Sequence, residues 1–180
     1  MTLAKDDWLL KLGKAIALIL RALCVLGGAL FIVLMVVATL MSAGMLPRLG
    51  DANSLPYVAR YPLLTAGICL TVTANFAVMF YFIGKMRALI ESASDGDPFI
   101  PDNARRLNTM GWLLLSSQIL TVLVGEIRVF VMSLVDSENR AIFDISPNDL
   151  TGFLIVLVLF ILARVFGHGA AMREDLEGTV

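Results

Sequence analysis

Charge is nearly absent from four long stretches of this 180-residue chain, and that pattern decides the solvent in which it folds. Ala22–Leu46 has no charged residue in 25 positions, and Pro62–Gly84 has none in 23. Gly111–Gly125 is uncharged and is extended by Val129–Val135 past Glu126 and Arg128. Leu150–Ala163 is uncharged and is extended by Val165–Met172 past Arg164. A helix needs about 20 apolar residues to cross the hydrocarbon of a bilayer. Helix is the economical form there, because each backbone polar group must be satisfied within its own segment. The expected architecture is all-α: a single membrane domain over residues 1–180, a four-helix bundle with spans at about 20–46, 61–84, 108–135 and 148–172. The flank of 21 residues before the first stretch, and the length of that stretch, argue against a cleaved signal peptide.

Composition agrees with this reading. Hydrophobic residues make up 58% and charged residues 16%, against about half and a quarter in a soluble domain. The net charge of −1 offers no basic surface for direct nucleic-acid binding. One His and two Cys are too few for a zinc site of ordinary ligand count, and no metal or cofactor is expected. Cys24 and Cys69 fall at different depths in their spans and are read as small packing residues. His168, between Gly167 and Gly169, reads as interfacial. No Ser, Cys or Thr nucleophile stands beside a base, so the chain is read as no enzyme and no catalytic residue is expected.

The basic residues give an orientation. Lys5, Lys11, Lys14 and Arg21 precede the first span, Lys85, Arg87, Arg105 and Arg106 lie between spans two and three, and Arg164 and Arg173 lie near the end. The two other loops hold only Arg48, Arg60 and Arg140. Basic loop residues concentrate on the cytosolic side. Both termini and the connector at 85–107 are therefore expected in the cytosol, with the chain as a multi-pass protein of the inner cell membrane.

That connector reads as a helical hairpin. After Gly84 the helical pattern runs on through Met86, Leu89 or Ile90, and Ala93 on one face. Asp95-Gly96-Asp97-Pro98 is a stop, and Pro101 suits the first turn of a new helix, with Asp102 at its positive end. Two helices of about 35 residues, or roughly 50 Å, exceed a core of about 30 Å. The surplus emerges, with Phe99 and Ile100 at the tip. Phe99, Ile100, Asn103, Arg105 and Arg106 are its candidate contacts, either with lipid headgroups or with a soluble partner. In the fourth helix, Ser146-Pro147-Asn148-Asp149 gives a start. Ala163, Gly167 and Ala171 recur every four residues near its end and suit close helix packing.

Gly96-Asp97-Pro98-Phe99-Ile100-Pro101-Asp102-Asn103-Ala104-Arg105-Arg106-Leu107, followed by Gly111-Trp112, and the tail Gly169–Val180 together resemble domain-of-unknown-function family 2975, the YoaS-like bacterial membrane proteins. The resemblance implies a small four-helix membrane protein and assigns no activity or catalytic residue. It implies as partner a compact helix-turn-helix regulator encoded beside such proteins.

Polar groups within the spans are the remaining candidates, since such groups mark functional sites by default. Counting inward from Gly84, Gly111 and Met172 puts Asn75, Gln118 and Arg164 about 10–13 Å deep. They are expected either to form one buried polar cluster or to act separately, with the amides bridging helices and Arg164 snorkelling to the headgroups. Glu126 is a candidate carboxylate in the outer half of the third span. The functional expectation is a non-catalytic regulatory or sensory membrane partner of a cytosolic protein. The alternative is a small transporter or channel subunit built on the intramembrane polar residues. The bilayer is one partner, and a second copy of the chain is another candidate.

Overall fold

A computed structural model describes residues 3–45, 62–94, 98–135 and 147–177, and they fold into four helices. These are α1 (Leu3–Ser42), α2 (Pro62–Ser94), α3 (Pro101–Val135) and α4 (Pro147–Glu177). All four are long and apolar enough to cross a membrane, and the described residues contain no strand. The loops holding Arg48, Arg60 and Arg140, the Asp95-Gly96-Asp97 turn and the Ser146 cap lie outside the described residues.

The local signals place most helix ends. α2 stops at Ser94, just before the Asp-Gly-Asp-Pro run, α3 begins at Pro101 and α4 at Pro147. At 33 and 35 residues, α2 and α3 have the surplus length expected of them. The first helix extends well ahead of the span expected within it. It opens at Leu3 and runs for 40 residues. Its close comes at Ser42, because Gly44 takes the left-handed conformation (φ 71°). Gly44 N–H then bonds Met41 O at 3.2 Å and Met45 N–H bonds Leu40 O at 3.0 Å, the paired bonds of a Schellman cap.

The chain divides into two compact units. One comprises residues 1–22, 78–119 and 144–180, the other residues 23–77 and 120–143. In the first, Leu107, Met110 and Leu114 of α3 pack with Val156, Leu159 and Ala163 of α4. Met79, Phe82, Met86 and Leu89 of α2 pack against that core. The inward positions of α3 (103, 107, 110, 114, 117) and of α4 (152, 156, 159, 163, 170) follow alternating steps of four and three, or their sum. That is the seam of left-handed helix pairs. It corrects the every-four stripe expected in α4. At about 100° per residue, position 171 has swung some 80° from 163 while 170 has swung only about 20°. Ala170 is accordingly buried and Ala171 exposed.

Glycines set the register. A Cβ on Gly111 would come within 3.0 Å of the Phe160 ring, one on Gly169 within 2.8 Å of Phe99, and one on Gly152 would collide with the Gln118 carboxamide. With Gly167 beside Ala104, these contacts give α3 and α4 one antiparallel register. Trp112 closes on Phe160 edge-on at 5.5 Å. In the second unit Phe76 of α2 lies on Gly27 of α1, 5.9 Å from Phe31. Thr71 and Thr73 bond the carbonyls of Gly67 and Cys69 one turn back, which satisfies hydroxyls without leaving the helix. Cys24 and Cys69 are both free thiols.

The outward faces are apolar. Leu18, Leu23, Leu26, Leu30 and Val33 of α1 and Leu154, Leu157, Val158 and Ile161 of α4 are all exposed. A water-soluble chain rarely shows so much contiguous apolar surface. Facing lipid, the same side chains need no protein partner. The chain is a multi-pass membrane protein.

Candidate functional site

Polar chemistry concentrates where α2 meets α3. Asn103, in the first turn of α3, is 1% exposed, the most thoroughly buried large side chain described. Pro101 starts the helix, and Asn103 N–H closes the first turn on Ile100 O at 3.0 Å. Its carboxamide is then free to reach across. Nδ2 donates to Ser92 Oγ of α2 at 2.8 Å and to Pro98 O of the connector at 2.9 Å. Oδ1 accepts from Arg106 Nη1 at 3.0 Å. The same Nη1 donates to Ala88 O of α2 at 3.0 Å. Both amide hydrogens and the amide oxygen are thus employed. The network ties the last turns of α2, the connector and the first turns of α3, which fixes the angle of the hairpin. Arg87 and Glu91 add an i,i+4 pair at 3.0 Å on the flank of α2.

The five connector residues expected as contacts divide by direction. Asn103 is not a surface residue, since a side chain 1% exposed meets neither lipid nor partner. Arg106 is half-buried and engaged with Ala88 and Asn103. Arg105 points outward, 3.8 Å from Asp102, in a pair too exposed to hold it. Phe99 is half in and half out. Its ring lies 5.1 Å from Phe166 and covers Gly169, while 43% of the residue stays exposed. Ile100 is half-buried. Arg105 and the open side of Phe99 are therefore what this end presents.

Of the expected cluster of Asn75, Gln118 and Arg164, the first unit holds Gln118 and Arg164 and does not bring these two together. Asn75 Nδ2 donates to Thr121 Oγ1 at 3.1 Å, a bridge from α2 to α3. Gln118 lies on Gly152 of α4. Arg164 is 12 residues further along α4, about 18 Å away. The mismatch arises from the choice of reference level. Phe160, not Met172, stands opposite Gly111, so Arg164 lies level with Leu107, well towards the connector end. It is exposed, as a snorkelling arginine would be. Glu126 is half-buried with no ion pair among the described residues.

One residue read as an ordinary flanking cation has a more specific place. Arg21 lies on the inward stripe of α1 with Ala17, Cys24 and Gly28. Its guanidinium stands 4.1 Å over the Phe80 ring and beside Gly84, where the absent side chain leaves room. Its buried Nε has no hydrogen-bond partner among the described residues, so the cation–π contact is its visible compensation. The 4-3 spacing through Arg21 was the available signal.

Comparison with known proteins identifies a family. The family model described as "Protein of unknown function (DUF2975)" matches residues 49–180. No curated protein and no solved structure matches the chain. The matched range takes in α2, α3 and α4, with the Asn103 network and the Phe99–Phe166 contact inside it. On that match, over most of its length, the chain belongs to the DUF2975 family.

Proposed function

We propose that this chain is a non-catalytic regulatory protein of the bacterial inner membrane, which holds a pre-shaped cytosolic hairpin for a soluble partner. The observation that carries this reading is the buried Asn103 network. It spends an amide, a hydroxyl and a guanidinium on fixing the shape of a connector beyond the hydrocarbon, where a loose loop would suffice to join two spans. Pre-shaping reduces the ordering cost of binding. Arg105, Asp102 and the open side of Phe99 are the presented groups, and the positive-inside count puts them in the cytosol. The family resemblance favours a compact helix-turn-helix regulator as the partner.

The test is pull-down from native membranes in mild detergent, comparing the parent chain with Arg105→Glu and Phe99→Ser. The expected result is a soluble protein retained by the parent and lost from both variants, while all three elute as the same folded species. Retention by both variants, or proton-dependent solute flux in liposomes with no partner recovered, would overturn it.

A further inference from the structure

An open groove of about 820 Å³ runs along the connector end of α4, lined by Arg164, Val165, His168, Met172 and Leu176 and walled by Phe99. Its direction identifies what it faces. At about 100° per residue, Val165, Met172 and Leu176 project from the side of α4 opposite the Val156–Leu159–Ala163–Ala170 seam. All three are exposed. Its depth is equally telling. Counted from Leu150, a hydrocarbon core of about 30 Å uses some 20 residues of helix, so its edge falls near Gly169. The groove straddles that edge on a face turned to the bilayer.

We propose that this groove holds an anionic phospholipid of the connector-side leaflet. Val165, with Phe99 and Met172 near the edge, offers an apolar channel for the upper acyl chain, while Leu176 lies beyond it at the outer mouth of the groove. Arg164 is exposed and makes no hydrogen bond or ion pair among the described residues. It starts about 8 Å inside the edge, a depth from which its side chain reaches the phosphate level. Arg173 adds a second cation at the far end of the groove. Glu174 and Asp175 lie further along the helix, beyond the phosphate plane. Free phosphate would leave the apolar lining without a role. A zwitterionic headgroup would bring its own cation towards Arg164. Both considerations select an anionic lipid. Phe99 also belongs to the hairpin, so the lipid would touch the element that carries Arg105. The site itself does not depend on the partner reading.

Native mass spectrometry of the full chain in detergent tests this, with phosphatidylglycerol and phosphatidylcholine of matched acyl chains. The parent should retain phosphatidylglycerol preferentially. Arg164→Gln should reduce that preference about fivefold or more, the scale of one basic residue near an anionic surface. Arg164→Lys and the control Lys11→Gln should preserve it, and millimolar inorganic phosphate should not compete. Equal retention of the two lipids by the parent, an unchanged preference in Arg164→Gln, or displacement by inorganic phosphate would each overturn the assignment.

Discussion

Asn103 and Arg105 stand two positions apart at the start of one helix, and they show how differently two polar neighbours can be employed. Asn103 is enclosed, and its neighbours depend on it. Asn103→Leu would take one hydrogen-bond partner each from the Ser92 hydroxyl, the Pro98 carbonyl and the Arg106 guanidinium. A buried polar group left unpaired costs about 1–3 kcal/mol, so unfolding in mixed detergent should register a loss of at least that order. Arg105→Ala should change stability by less than about 0.5 kcal/mol, as exposed substitutions usually do. A sequence distinguishes these two poorly, since Asn and Arg in a first helical turn both read as solvated. Only the packing of α3 on α2 shows which of them is enclosed. Arg21 was hidden for the same reason: a cation ahead of an apolar stretch reads as a membrane anchor until Phe80 and Gly84 are seen beside it.

Helices were more legible than side-chain roles, because their ends are written locally. Pro101, Pro147 and the Asp-Gly-Asp-Pro stop act through the backbone of their own residues, and three boundaries fall where they predict. The start of α1 had no comparable signal, because Leu3–Arg21 mixes charges with apolar residues. Pairing between helices was legible only in outline. Small residues suggested close approach, but which glycine receives which side chain is a tertiary fact. Two glycine substitutions separate the effects. Gly67→Ala meets open space on α2 and should be neutral or stabilising by up to about 1 kcal/mol, from helix propensity alone. Gly152→Ala must displace the Gln118 carboxamide and should cost about 1–3 kcal/mol, the usual range for overpacking. Thermal unfolding of the two variants in one detergent provides the comparison, and equal midpoints would contradict the register assigned to α3 and α4.

The whole molecule follows from charge patterning more than from any motif. Four uncharged stretches dictate four helices with apolar exteriors, and the chain shows both. What the pattern could not resolve was depth. The proposed inner cluster assumed that Gly111 and Met172 end at one level, whereas Phe160 is what faces Gly111, so Arg164 moved out of the interior and Gln118 stayed in. Orientation governs everything proposed for the hairpin, because a soluble cytosolic partner can reach Arg105 only if the connector lies in the cytosol. Ten basic residues on the connector side against three on the other predict that it does. The direct measurement is a reporter that is active only outside the cytosol, fused in separate chains after Ala93 and after Asn53. It should be silent after Ala93 and active after Asn53. Activity after Ala93 with silence after Asn53 would invert the molecule and remove the hairpin from reach of any cytosolic partner.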